Sequence, residues 1–290
     1  MRPDLASSFV TRFAPSPTGL LHLGHAYSAL KAFDAARAAG GRFILRIEDI
    51  DVTRCRPQFE AAIYDDLAWL GLAWEQPVLR QSDHLADYHA ALERLHQKGL
   101  LYRDFRTRSE LASDIAGAPH GPVGPIVSAT ALPAEEEAER LTRGEAFAWR
   151  LSLAAARAHL GPAWERLSFV EEGCGPDGET GRIITKPDLA GDIVLARKDV
   201  GAAYHLAVVV DDARQGITCV IRGDDLFAAA HIQRLLQALL DLPTPVYRHH
   251  PLLMGPDGKR VAKRNGAPAL SDLRQAGQTA ADVRRRLGLI

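Results

Sequence analysis

From Arg12 to Gly40 the chain reads RFAPSPTGLLHLGHAYSALKAFDAARAAG, with two histidines, His22 and His25, three residues apart at the mouth of a helix. Ahead of it, SSFVTRFA predicts a short buried strand ended by Pro15 and Pro17. HAYSALKAFDAARAAG carries Ala29, Leu30 and Phe33 on one face and Gly40 just past its end, and RFILRIEDID is an apolar strand finishing in acidic residues. Strand, helix and strand within about 40 residues make a βαβ unit, which requires a parallel sheet.

Two further helices are expected in PQFEAAIYDDLAWLG and SDHLADYHAALERLHQKG. The character changes after Leu101, where AGAPHGPVGPIVSATALP is an irregular Gly/Pro stretch. AEEEAERLTRG then predicts a charged helix with Glu135–Glu137 on a solvated face, and AFAWRLSL a strand. A second α/β stretch opens at GDIVLARKD and runs through YHLAVVVDD and GITCVIRGDD to the helix LFAAAHIQRLLQALLDL. The expected fold is α/β: a Rossmann-type nucleotide-binding parallel sheet split by an inserted α+β subdomain, with a short helical tail. The two halves of the sheet are placed at 8–101 and 191–250, the insertion at 102–190, and a basic loop with the tail at 251–290.

Composition narrows the class. The 290 residues carry a formal charge of -1, so no global basic field announces a polyanion, although 35 Lys and Arg could still cluster on one face. Three distant cysteines, Cys55, Cys174 and Cys219, exclude a disulfide framework or a cysteine-rich zinc module. No signal-peptide core and no membrane-length apolar run occur, so a cytoplasmic protein is expected.

For HLGH, a metal site and a phosphate site compete. The zinc-protease pattern needs His at i and i+4 with a glutamate between, and Leu23-Gly24 supplies neither that spacing nor a base. A helix N-terminus instead offers free N–H groups and a positive dipole end to an anion, and Gly24 lets a base or ribose approach the backbone. The other end of the chain carries DGKRVAKR, whose Lys259, Arg260, Lys263 and Arg264 could neutralise a polyphosphate. The acid pairs Asp211-Asp212 and Asp224-Asp225 are read as strand ends that orient loops or ribose rather than as a two-metal site. His249-His250 has no evident partner and is taken as structural or surface.

RFAPSPTGLLHLGH resembles the first signature of class I aminoacyl-tRNA synthetases, in the variant shared by the glutamyl and glutaminyl enzymes. RVAKR at 260–264 stands where that family carries its lysine-rich second signature, and Tyr204 to Leu226 is similar to the glutamyl-type segment between the two. The sequence stops at Ile290, where a full-length glutamyl enzyme continues into an anticodon-binding domain. The likeness is therefore to a short branch of the family that activates glutamate with ATP and moves it to the queuosine base in the anticodon of tRNA(Asp).

What the resemblance implies can be placed residue by residue. Glutamate would be held by Arg12, Phe13, Ala14, Pro15, Ser16, Glu48, Tyr204 and Arg222, with the arginines on carboxylates and Glu48 on the α-ammonium. His22, Gly24, His25 and Lys263 would hold ATP, and His22, His25 and Lys263 would stabilise the transferring phosphoryl group electrostatically. Mg²⁺ is expected on the phosphates, the enzyme is expected as a monomer, and no membrane is involved.

The sequence departs from the pattern at two places. Arg260 and Ala262 replace the first lysine and the serine of the second signature, while Lys263 keeps the charge. Where relatives often carry a Cys-x-Cys zinc knuckle after a tyrosine, Asp104 and Arg106 stand, and His120 alone is a poor substitute, so zinc is expected to be absent. Rival readings are a compact glutamyl-tRNA synthetase charging the 3′ end of tRNA(Glu), and a non-catalytic nucleotide- or amino-acid-binding paralogue.

Overall fold

β1 (Val10–Phe13) passes through the proline turn into α1 (Leu23–Ala38), β2 (Arg42–Ile47), α2 (Pro57–Trp69), β3 (Leu79–Arg80) and α3 (Leu85–Gln97). β4 (Leu101–Asp104), α4 (Ala134–Thr142), β5 (Ala148–Leu151), α5 (Leu153–Leu160), β6 (Ser168–Glu171), β7 (Gly181–Ile184) and β8 (Ile193–Ala196) follow. The chain ends with α6 (Tyr204–Arg214), β9 (Cys219–Gly223), α7 (Phe227–Leu239), β10 (Val246–His250), α8 (Leu270–Gln275) and α9 (Ala280–Arg286). This computed structural model describes residues 9–106, 132–197, 201–255, 261 and 268–290.

The βαβ unit forms as the periodicity requires. β1 pairs in parallel with β2, and β2 with β3. α1 lies on this sheet through Ala26, Ala29 and Ala32, all fully buried, whose small side chains let the helix approach the strands closely. The return from α1 to β2 depends on glycine twice: Gly40 adopts φ +59°, and a Cβ on Gly41 would lie 2.1 Å from the Phe9 carbonyl oxygen.

On the other side of β1 stands β9, joined to it by Thr218 N–H donating to the Val10 carbonyl at 2.9 Å. β9 pairs in parallel with β10, and β10 with β6, while β7 closes that edge antiparallel to β6. The spatial order is thus 3-2-1-9-10-6-7, and the chain leaves β1 toward β2 on one side and meets β9 on the other. Such a reversal opens a crevice at the carboxyl ends of the strands.

A second sheet, β4-β5-β8, is antiparallel throughout. The sheets interleave the expected segments: β6 and β7, from within 102–190, extend the parallel sheet, whereas β8 pairs with β5 rather than entering it. Asp192 explains β8's place, because its carboxylate accepts from Leu153 N–H at 2.8 Å and Tyr102 Oη at 3.0 Å. Glu135 is exposed, but Glu136 is paired with Arg140 and Glu137 with Arg103, so α4 is tied to β4 rather than freely solvated. Among the described residues no helix is long and apolar enough to cross a membrane.

A further expectation fails. YHLAVVVDD is helix α6, so Asp211 and Asp212 do not end a strand. Its valine run favours a strand locally, yet burial of Leu206, Ala207, Val208 and Val209 against the neighbouring helices overrides that preference. Asp224-Asp225 does follow a strand, in a short turn after β9.

The helical reading explains the acid pair. Arg46 of β2, completely buried, donates to Asp212 Oδ1 at 2.8 Å, to Gln215 Oε1 at 2.8 Å and to Glu48 Oε1 at 3.2 Å, with Asp211 3.8 Å away. Asp211 is also held by Tyr88 Oη at 2.9 Å and Gln81 Nε2 at 2.7 Å. Arg46 is therefore the shared cation that lets three carboxylates enter the interior.

Arg46→Met is expected to lower stability by about 3–5 kcal/mol, because it takes from Asp211 its only cation among the described residues and leaves Asp212 and Glu48 to share Arg12. Urea denaturation reads this, and Arg46→Lys should recover only part of the loss, since one ammonium cannot span the same acceptors. A second expectation concerns Asp66, whose oxygens are buried without a hydrogen bond. Burial pushes its carboxyl up to about 6 against the pull of Arg274, 3.6 Å away. A carboxyl raised in the folded state favours folding below its unfolded pKa and loses that contribution as pH rises through the folded value. Asp66→Asn should therefore raise Tm at pH 7.5, by the equivalent of about 3 kcal/mol, and the gap to the parent should shrink as pH falls through about 6 and close only below about pH 4.

Candidate active site

The crevice is a cleft of about 680 Å³ lined by the ends of β1, β2, β9 and β10 and the first turns of α1 and α6. Of the residues singled out in the sequence, Arg12, Phe13, Ala14, Ser16, His22, Gly24, His25, Glu48, Tyr204 and Arg222 all line it. Pro15 is not in the lining, but its carbonyl accepts from Glu48 N–H at 3.0 Å and so fixes the end of β2 against the first turn. Lys259, Arg260, Ala262, Lys263 and Arg264 lie outside the described residues, as does His120.

His22 is the N-cap of α1, and both histidines build the cap. Gly24 N–H donates to His22 Nδ1 at 3.1 Å, and His22 N–H donates to His25 Nδ1 at 3.1 Å. An Nδ1 that accepts cannot carry hydrogen, so each ring proton resides on Nε2. The rings lie 3.8 Å apart, centroid to centroid, and both residues line the cleft. Gly24 suits this packing, since a Cβ there would meet His22 Cε1 at 3.0 Å and Nδ1 at 3.1 Å and the ring would have to give way slightly.

The second-signature segment is held at its second residue, Val261, and, past its end, against this turn. Val261 N–H donates to the Leu253 carbonyl at 2.8 Å, and Leu270 N–H donates to the Leu21 carbonyl at 2.8 Å beside a bridge between Ala269 and His22.

The other half of the cleft is charged. Arg12 donates through Nε to Asp212 Oδ1 at 3.1 Å. Burial would raise Asp212, but Arg12 and Arg46 hold it below the usual carboxylate range. Burial raises Glu48 above that range, with Arg46 and Arg12 pulling the other way. Glu48 thus faces the cleft as a carboxyl that gains from a cation.

Arg222 is treated differently. Its guanidinium, 5% exposed, donates to His249 Nε2 at 3.1 Å, Gln233 Oε1 at 3.0 Å, the Leu226 carbonyl at 3.0 Å and Tyr204 Oη at 3.5 Å. Among the described residues no carboxylate comes within ion-pairing distance of it. A buried cation with only neutral partners attracts an anion from the cleft.

Sequence reasoning missed Arg46, Asp212, His249 and His250. A charged residue within the apolar run RFILRIE, two positions before Glu48 and so on the same strand face, was the available signal for Arg46. Two adjacent histidines on a strand face opposite ways, which foretells two tasks rather than one. His249 lies behind Arg222, while His250 lines the cleft and pairs through Nε2 with Ser28 Oγ at 3.0 Å. Burial lowers the pKa of both.

Asp104 and Arg106, at the zinc-knuckle positions, are bonded to one another: Arg106 donates from Nε and Nη2 to the two Asp104 oxygens at 2.8 and 2.9 Å. Arg150 adds a third charged bond to Asp104 at 2.5 Å. A guanidinium, and a carboxylate bonded to it and to a second guanidinium, do not fit a zinc ion. Among the described residues no three His, Cys, Asp or Glu side chains converge as a metal site.

Comparison with known proteins accords with this geometry. The model of the catalytic domain of class I tRNA synthetases (E and Q) matches residues 8–289. A protein of Rhodobacter capsulatus named glutamyl-Q tRNA(Asp) synthetase is 49% identical over 97% of this chain and 100% of its own length. One of the same name from Nocardia farcinica is 43% identical over 94% of this chain and 81% of its own. A solved glutamate tRNA ligase from Elizabethkingia meningosepticum superposes with TM-score 0.72 at 28% identity, covering 89% of this chain and 52% of that one. The chain belongs to the glutamyl and glutaminyl branch of the class I tRNA synthetases.

Proposed function

We propose that this protein activates L-glutamate with ATP and transfers the glutamyl group to the queuosine base in the anticodon of tRNA(Asp). The observation that carries the reading is the convergence of Arg12, Arg222, Tyr204 and Glu48 with His22 and His25, each protonated on Nε2, on one cleft. Glutamate has two carboxylates and one ammonium; of the charged side chains lining the cleft, Arg12 and Arg222 suit the carboxylates and Glu48 the ammonium, with Arg54 and Asp225 also in the lining.

In the first step an oxygen of the α-carboxylate attacks the α-phosphorus of ATP, and the bond to the departing pyrophosphate breaks. His22 and His25 donate to phosphoryl oxygens as charge gathers there, and Lys263 supplies a cation. These groups act electrostatically and form no covalent intermediate. In the second step a hydroxyl of the cyclopentene-diol of queuosine attacks the activated carbonyl, AMP leaves with the bonding electrons, and the hydroxyl proton is lost. The α-ammonium sits against Glu48, which burial alone leaves reluctant to ionise. The domain limits 8–101, 102–190, 191–250 and 251–290 belong to the same proposal.

The Rhodobacter relative, matched along its entire length, supports the queuosine branch. A protein of Ruegeria named glutamate–tRNA ligase 2 is 39% identical over 57% of its length, which keeps charging of tRNA(Glu) as the second reading. Labelled glutamate offered to tRNA(Asp) with and without queuosine, and to tRNA(Glu), separates them. Label confined to queuosine-bearing tRNA(Asp) is expected, and label on tRNA(Glu) would reverse the assignment. Glu48→Gln should raise the KM for glutamate by roughly ten- to hundredfold and leave that for ATP nearly unchanged, as loss of one charged hydrogen bond implies. His25→Ala should slow glutamate-dependent ATP–pyrophosphate exchange by about 10²-fold, the usual cost of one transition-state donor.

A further inference from the structure

Behind Arg222 lies a buried array that no step above uses. His249 accepts from Arg222 Nε at Nε2, so its proton is on Nδ1, and that atom lies 2.5 Å from Glu171 Oε2. The side chains of Glu171 and His249 are both fully buried. The other oxygen of Glu171 accepts two backbone N–H groups at 2.8 Å, those of His249 and Gly173. A Cβ on Gly173 would lie 2.2 Å from the His249 carbonyl oxygen, so glycine is needed for this approach.

The order of charges matters. Placed directly on Arg222, Glu171 would neutralise it, whereas Arg12 has only a share of Asp212, which Arg46 also holds. The imidazole between them takes the direct contact, so Glu171 fixes the ring's tautomer and angle while Arg222 keeps a neutral neighbour and an unmatched charge. Glu171 stands on β6, in the segment expected as an insertion, and His249 on β10, paired with Arg222 of β9 in register.

We infer that His249 and Glu171 are positioning residues for substrate carboxylate recognition, orienting Arg222 toward the cleft without compensating its charge. The inference deepens the proposed function and rests on its reading of Arg222 as a glutamate contact. It specifies an acceptor that must be neutral at its near end and anchored by an anion at its far end.

The test is glutamate-dependent ATP–pyrophosphate exchange on the full chain, with separate KM values for glutamate and ATP. His249→Leu and Glu171→Gln should each raise the KM for glutamate, the former by roughly tenfold, as loss of one oriented charged contact predicts, with the KM for ATP nearly unchanged. His249→Gln should restore most of the loss, because its amide oxygen can take the acceptor position of Nε2. Should His249→Leu fail to accumulate, Glu171→Gln and His249→Gln carry the comparison. Parallel rises in both KM values, or a fall in Tm alone, would overturn the inference as mere structural support. Arg222→Lys separates the two levels. If it raises the KM for glutamate while the His249 and Glu171 variants do not, only the positioning role falls. If it leaves that KM unaltered, the reading of Arg222 falls and the inference with it.

Discussion

A guanidinium buried near the end of β2 ties that strand to helix α6. Arg46 reaches Glu48 on its own strand and Asp211, Asp212 and Gln215 on and just after α6, a helix that arrives more than 150 residues later in the chain. Its attraction to these groups offsets the cost of taking three carboxylates out of water, and none of them could be buried here alone. Through Asp212 the same cation sets the angle of Arg12, and through Glu48 it sets the acid of the cleft. Packing brings β1, β2 and α6 close, but apolar contact has no direction. The hydrogen-bonded charges supply the direction, and the cleft inherits its geometry from them.

The first turn of α1 shows the same economy in smaller form. A helix start must satisfy its free N–H groups, ordinarily with Ser, Thr, Asp or Asn. Here two imidazoles do so, and by accepting at Nδ1 each is left with its hydrogen on Nε2. Folding of the helix and preparation of the donors are therefore one set of bonds.

Much of this was legible in the sequence. The βαβ unit was written in the period of Ala29, Leu30 and Phe33 and in the glycines that end α1, because local turn chemistry and burial agree there. Ten of the residues named for substrate or nucleotide gather at one cleft, since the signatures that carry them sit at strand ends and a helix start. What was not legible depends on partners distant in sequence. Tyr204–Arg214 reads as a strand by its valines and is a helix because of what surrounds it. β6 and β8 belong to sheets that no local pattern announces, and His249 acquires meaning only when Glu171 arrives 78 residues away. Lys263 falls outside the described residues, so its role rests on its motif and on the anchored residues Val261 and Ala269.

The last two residues of β10 point to opposite sides of the sheet. His249 serves the arginine of the amino-acid end, and His250 meets Ser28 on α1. The alignment of β10 with β9, His249 against Arg222 and His250 against Gly223, thus decides which imidazole serves which half of the cleft. A strand repeats its faces every two residues, so a slip of one position would exchange the two rings while leaving the sheet's hydrogen bonding almost intact. The phase of this strand behaves as a setting in its own right: a change that the sheet would tolerate would cross the wiring of the two substrate halves. Lengthening or shortening the loop before Val246 therefore keeps both rings in their places only where the strand re-enters in step.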